Sequence, residues 1–161
     1  MSEIPPSLEL RLEVYDLYDA YVACLDDGDL EGWPELFSEE CLYEIIPREN
    51  WDRGLPLALV RCESKGMLKD RLVAVRETMM YAPRYLRHIV SSVRIREIED
   101  AGIRTAANYC VLETLLEEQT KILQTGRYLD LLVREGGRLK FKERHCVYDS
   151  IVVPNSIIYP I

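Results

Sequence analysis

Histidine is nearly absent from this 161-residue chain: His88 and His145 are the only two. Imidazole is the usual general acid or base near neutral pH and a common metal ligand, so such chemistry has two positions to use. The five cysteines, Cys24, Cys41, Cys62, Cys110 and Cys146, form no CxxC, CxH or CxxH spacing. An iron–sulfur cluster needs four closely spaced Cys or mixed Cys/His ligands. A mononuclear iron site needs two histidines and a carboxylate, which here would draw His88 and His145 from different strands. No metal site is therefore expected in this chain. Odd in number and scattered through apolar segments, the cysteines read as buried thiols in a reducing compartment rather than a disulfide framework. GxGxxG, GxSxG and the phosphate-loop pattern are also missing, since no helical pattern follows the Gly136-Gly137 pair.

There is no run of 18 apolar residues and no basic-then-apolar leader over Met1 to Ser7, so neither membrane insertion nor secretion is expected and the chain reads as cytoplasmic. The net charge of -8 opposes binding to phosphate backbones and excludes nucleic acid as an expected partner. One basic cluster, Arg84, Arg87, Arg94 and Arg96, stands against that balance. Arg87, Arg94 and Arg96 are candidates for contact with an anionic protein surface; the plainer alternative is a solvated strand face. A chain of this length fits one domain, residues 1–161, which buries roughly 70% of its unfolded surface without help from disulfides or metal.

Leu8 to Leu25 carries an i, i+3/i+4, i+7 apolar stripe after Pro5-Pro6-Ser7, which predicts a long first helix ending near Gly28. Asp29 can cap a short second helix holding Trp33, Leu36 and Phe37. From Cys41 the period changes to two: Leu42 to Ile46 ends at Pro47, and Leu55 to Arg61 follows the irregular stretch Asn50 to Gly54. Ser64 can cap a third helix running to about Thr78. Four long strand candidates close the chain: Tyr85 to Ile98, Ile103 to Leu116, Thr120 to Val133 and Leu139 to Val147. Strands after helices, without βα alternation, predict an α+β fold with a mainly antiparallel sheet curling strongly around three helices of the N-terminal half. Such a sheet makes a cone whose interior is either a pocket or a packed core.

A three-residue Glu135-Gly136-Gly137 loop would set Val133 opposite Leu139, Leu131 opposite Phe141, Leu129 opposite Glu143 and Arg127 opposite His145. A polar cluster of Arg127, Glu143 and His145 would then share a face with apolar residues. Arg127 and Glu143 should pair there, either as the floor of a polar pocket or as a structural or inter-subunit ion pair. His88 or His145, with Glu143, Asp19 or Asp26 as the orienting carboxylate, could alternatively serve a freestanding isomerase, dehydratase or cyclase. Ten Tyr and two Trp against two Phe favour surfaces that are apolar on one side and wet on the other, including protein interfaces. The apolar ending, Ile151 to Pro154 and Ile157 to Ile161, is expected to dock on its own sheet or on a neighbouring subunit.

Several segments together resemble the small (β) subunit of aromatic-ring-hydroxylating, Rieske-type oxygenases. They are Leu25-Asp26 with Trp33, Leu36 and Phe37; Tyr43 to Pro47-Arg48; Arg87-His88-Ile89-Val90-Ser91-Ser92-Val93; Gly126-Arg127-Tyr128 with Asp130; and Lys142-Glu143-Arg144. The family run is typically Arg-His-x-Val-Ser-Asn-Val, and here Ser92 stands in place of the Asn. The resemblance implies a cone of the nuclear-transport-factor-2 type, assembled with a large (α) subunit as three of each chain. It implies that this chain holds no cofactor, while the large subunit carries a Rieske iron–sulfur cluster and a mononuclear iron. Pro154-Asn155-Ser156 and the Tyr159-Pro160-Ile161 ending are most similar to small subunits of enzymes acting on aromatic acids.

Overall fold

The chain was analysed as a computed structural model that describes residues 5–78, 80–150, 152 and 157–161. Helix α1 (Leu8–Asp26) starts where the Ser7 hydroxyl accepts a hydrogen bond from the Leu10 N–H at 3.1 Å. Val14, Leu17, Tyr18, Tyr21 and Leu25 form its buried stripe. A 3₁₀ turn (Trp33–Leu36) buries Trp33 and leads into strand β1 (Phe37–Pro47). Helix α3 (Lys65–Val73) is capped by the Ser64 hydroxyl, which accepts from the Met67 N–H at 3.2 Å; it widens into a π turn over Ala74–Thr78. Strands β3 (Arg84–Glu99), β4 (Gly102–Leu115), β5 (Lys121–Glu135) and β6 (Arg138–Tyr148) lie within a residue or two of the expected positions. Three features depart from expectation. Phe37, expected in the second helix, begins β1, and Gly32 rather than Asp29 stands at the N-cap of the 3₁₀ turn. A five-residue helix, α2 (Arg48–Asp52), overlaps the stretch Asn50 to Gly54 expected to be irregular, and of Leu55 to Arg61 only the last two residues join strand β2 (Val60–Cys62).

The sheet order is β2-β1-β6-β5-β4-β3, and among the described residues β1 beside β6 is its one parallel pairing. The sheet is curved and unclosed, with α1 and α3 on its inner face and the short α2 beside His145 on the outer one, an α+β cone. The C-terminal residues 157–161 dock on their own chain. Arg71 donates to the carbonyls of Ile157 and Ile158, the Tyr159 hydroxyl meets that of Tyr81 at 2.9 Å, and Ile161 is fully buried. Ile151 and the Pro154-Asn155-Ser156 segment lie outside the described residues.

The β5–β6 hairpin corrects the expected register. Gly136 and Gly137 have φ of 61° and 80°, Glu135 lies opposite Arg138, and the loop is therefore a two-residue turn. Only glycine takes two successive positive φ values at little cost, and such a turn matches the twist of its strands. Val133 consequently faces Lys140, which would scramble the apolar face if alternation ran on unbroken. It does not run on, because a bulge at Lys142 puts Leu132 opposite Phe141 but Leu131 opposite Glu143. Beyond the bulge Tyr128, Asp130, Arg144 and Cys146 point inward, and Arg127, Leu129, Glu143 and His145 point outward.

Side chains fill the interior of the cone. Trp33, Phe37, Tyr43, Tyr21 and Phe141 meet mostly edge to face, with the Trp33 and Tyr43 rings 5.1 Å apart and those of Tyr21 and Phe141 5.6 Å apart. At the centre the fully buried Arg144 grips Asp130 through two hydrogen bonds, Nε to Oδ1 at 3.0 Å and Nη2 to Oδ2 at 2.7 Å. Its guanidinium lies 3.8 Å from the ring centroid of Phe141, 4.1 Å from Tyr21 and 4.2 Å from Tyr128. Asp130 also accepts from the Tyr18 hydroxyl, which ties α1 to the sheet. Burial works against the Arg144 charge, but the Asp130 carboxylate outweighs it and holds the guanidinium pKa above its ordinary value. Burial first, and then the Asp130 charge, push the Tyr18 hydroxyl up.

Two stability measurements follow from this geometry. Arg144→Met alone strands a buried carboxylate, so a loss of about 3–5 kcal/mol in urea unfolding is expected. Combining it with Asp130→Leu should recover most of that loss. A double variant no better than the single would show that the carboxylate is not the cause. Separately, Ser92 sits at a β3 irregularity with φ of 55°, a left-handed conformation that Asn tolerates better than Ser. Ser92→Asn is expected to raise the unfolding free energy by up to about 1 kcal/mol, and an unchanged denaturation midpoint would count against strain there.

Candidate functional site

The two histidines stand on opposite faces of the sheet, each engaged by a carboxylate. His88, on the inner side of β3, is fully buried, and its Nδ1 lies 2.7 Å from Asp26 Oδ1 at the end of α1. Asp26 also accepts the His88 backbone N–H at 3.0 Å and has Arg87 Nη1 at 3.9 Å. Of the carboxylates considered from the sequence, Asp26 is the one that meets His88; Asp19 does not. The contact bolts the end of α1 to β3, and His88 Nε2 is buried without a hydrogen-bond partner.

His145, on the outer face, has Nδ1 2.7 Å from Glu44 Oε1 of β1 and Nε2 3.7 Å from Glu143 Oε2. The Trp51 ring of α2 lies 4.8 Å from it, centroid to centroid. Glu44 also receives Arg61 Nη1 at 2.8 Å. The hydrogen bond from His145 lowers the Glu44 pKa against the opposing effect of burial, and Arg61 adds to the lowering. Among the described residues, no group of three or more His, Cys, Asp and Glu side chains is placed to hold a metal ion. The five cysteines are all free, and burial pushes the Cys41 thiol up to about 11, so it stays protonated and unreactive near neutral pH.

Arg127, Glu143 and His145 do share the outer face, but the expected pairing of Arg127 with Glu143 is not formed. The register puts Arg127 opposite Val147 and Leu131 opposite Glu143, and the cation beside Glu143 is Arg104, at 3.3 Å. The two-residue turn and the bulge each shift the register by one, so Glu143 lies opposite Leu131, four residues along β5 from Arg127. A cleft of about 360 Å³ opens on this face, with Arg94, Arg96, Arg127, Trp51, Leu129 and His145 among its lining residues. Of the basic strand, Arg84 is tied to Glu113 at 2.6 Å, Arg87 is largely exposed, and Arg94 and Arg96 are exposed at the cleft.

Glu44, Trp51 and the Asp130–Arg144 pair were not singled out from the sequence as site or core residues. Asp130 and Arg144 each stand two residues from an apolar or aromatic inward neighbour, Tyr128 or Leu132 and Cys146. Recognising that both face inward needed the position of the bulge.

A curved sheet closed on one side by helices and packed with rings is the cone of the nuclear-transport-factor-2 type. The sequence pattern of one family, described as ring hydroxylating beta subunit, matches residues 20–155, and the chain belongs to that family. It is 36% identical over 161 residues, covering all of both chains, to the anthranilate 1,2-dioxygenase small subunit of Burkholderia cepacia. It is 30% identical over 142 residues, 88% of this chain and 92% of the other, to the subunit beta 2 of the terminal oxygenase component of terephthalate 1,2-dioxygenase from a Comamonas species. Among solved structures, a β subunit assigned to an aromatic-ring-hydroxylating dioxygenase of Novosphingobium aromaticivorans superposes with a TM-score of 0.86. It is 38% identical, with 95% of this chain and 97% of that one covered.

The Glu44–His145 contact predicts a pH dependence. Because the folded-state pKa of Glu44 is lowered, its stabilising contribution is present above the ordinary carboxylate pKa and is lost as pH falls through the lowered folded value. Glu44→Gln is therefore expected to reduce stability near pH 7 and to flatten the acid limb of the stability profile. Parallel acid limbs in parent and variant, measured by thermal melting from pH 7 down to about 3, would contradict this.

Proposed function

We propose that this chain is the accessory small subunit of a multicomponent aromatic-ring-hydroxylating oxygenase acting on an aromatic acid in the cytoplasm. In this reading it is a single domain that assembles with a large subunit, three of each chain. The large subunit carries the Rieske cluster and the mononuclear iron where dioxygen and substrate meet. The observation that carries the reading is end-to-end similarity to the small subunit of an anthranilate dioxygenase, with a terephthalate dioxygenase subunit as further support. The aromatic acid is inferred from those two names.

Physical features of the chain support a structural role. The cone interior holds Arg144 and packed rings where an enzyme of this shape would need solvent-reachable space. The exposed side chains of Arg87, Arg94 and Arg96, with Tyr85 and Ile89 exposed beside them on β3, form a mixed basic and apolar surface suited to a protein partner.

The second reading, a freestanding isomerase, dehydratase or cyclase, draws on one specific observation: the Asp26–His88 contact at 2.7 Å with Nε2 left unpartnered, the geometry of an oriented base. The imidazole is shut off from solvent, which a proton-transfer group acting on substrate cannot be.

Co-expression with a Rieske-type large subunit from the same organism tests the proposal. The expected result is a single complex whose native mass fits equal numbers of both chains and whose iron resides in the large subunit. Failure of the two chains to co-purify would reject the assembly. Turnover by the isolated chain that His88→Gln abolishes would establish the second reading instead.

A further inference from the structure

Some arginines of the outer sheet face are neutralised where they stand: Arg61 by Glu44 and Glu63, and Arg104 by Glu99 and Glu143. Arg94, Arg96 and Arg127 are different. Among the described residues, none of the three has a carboxylate within ion-pair distance or an acceptor for its side chain. All three line the same cleft of about 360 Å³. The chain as a whole carries 28 Asp and Glu against 20 Lys and Arg, so three unmatched guanidiniums in one place run against its overall balance.

Arg127 carries the argument furthest. Its Nε is shielded from solvent and has no acceptor, so a desolvated donor is left unsatisfied. The Nη nitrogens of the same guanidinium have no acceptor either, and these are the donors that an anion entering the cleft can reach. A carboxylate suits it better than a polyanion. The planar guanidinium matches a carboxylate in a two-bond fork, while Glu97 on the cleft lining and Glu143 beside His145 repel anything more highly charged. Beside Arg104, Thr105 and Asn108, the lining also offers an apolar and aromatic side, with Leu129 and Ala106 on the sheet and the Trp51 ring standing against His145. The volume falls in the roughly 300–1,000 Å³ range of small-molecule sites and accepts one ring.

We propose that this cleft binds a single-ring aromatic carboxylate, its carboxylate held by Arg127 with Arg94 and Arg96 at the mouth, and its ring packed against Trp51 and Leu129. The ligand belongs to this subunit itself. The proposal requires neither a large subunit nor oxidation of the acid, but it draws on Arg94 and Arg96, which the assembly reading also places on the partner surface.

Isothermal titration of the purified full chain with benzoate is the test. Saturable binding is expected with a Kd of about 1 mM or tighter, weakened at least about tenfold in Arg127→Gln, which keeps most of the stem and removes the charge. A thermal melt shows whether that variant is folded. If it is not, the Arg94→Gln, Arg96→Gln double variant, altered only at exposed side chains, carries the test and should weaken benzoate about threefold or more. Absence of saturable benzoate binding, or binding unaffected in whichever of these variants is folded, overturns the proposal. Displacement of benzoate by inorganic phosphate at equal concentration overturns the aromatic carboxylate in favour of a general anion site. A folded Arg127→Gln that loses the large subunit, in a protein that never bound benzoate, overturns it in favour of an acidic side chain of that partner.

Discussion

A buried positive charge at the centre of a ring of aromatic side chains sets the terms for the rest of this molecule. Arg144 is fully enclosed, and a guanidinium in such a place persists only if a carboxylate and good geometry offset its lost hydration. Asp130 supplies the charge, and the faces of Tyr21, Tyr128 and Phe141 supply a surface that attracts a cation. Tyr18 completes the arrangement from α1 by donating to Asp130. Three elements, α1, β5 and β6, are thereby held in one relative position. The space that other cone-shaped proteins could leave open for a ligand is occupied by this pair and its rings.

With the centre of the cone filled by this pair and its rings, the unpaired charges are found on the outer face. There the polar side chains divide into two kinds. Glu44, His145, Glu143, Arg104 and Arg61 form a linked set in which charges answer one another across β1, β6, β4 and β2. Arg94, Arg96 and Arg127 answer to nothing within the described chain. The first set maintains the sheet; the second faces outward without a partner. Membership in the ring hydroxylating beta subunit family agrees with this division, since a supporting subunit acts through its surfaces.

The β5–β6 hairpin shows how closely sequence reasoning approached the site and where it stopped. Alternation correctly grouped Arg127, Glu143 and His145 on one face, and the outcome survived an error in the loop because two departures cancelled. The two-residue Gly136-Gly137 turn shifted the register by one, and the bulge at Lys142 shifted it again. The Arg127–Glu143 pairing did not survive, because pairing depends on absolute register and faces depend only on its parity. The same bulge concealed Arg144, since in unbroken alternation from Phe141 it would have pointed outward. His88 was legible as a residue of interest, and Asp26 among its possible partners, but only the packing of α1 on β3 selected Asp26 over Asp19.

Periodicity, capping residues and the order of elements were enough to determine an α+β fold with helices first and a long meander after, because hydrophobic period and turn chemistry act over a few residues. The scarcity of histidine and the lack of ligand spacing were likewise readable directly, and the run Arg87 to Val93 with its neighbours carried the family. What only the tertiary structure decided was which carboxylate meets which cation, that β1 joins the meander beside β6 in parallel, and that the cone is filled. Each of these depends on contacts between residues far apart in the chain, such as Asp130 with Tyr18 and His145 with Glu44. A bulge of one residue is enough to reassign them.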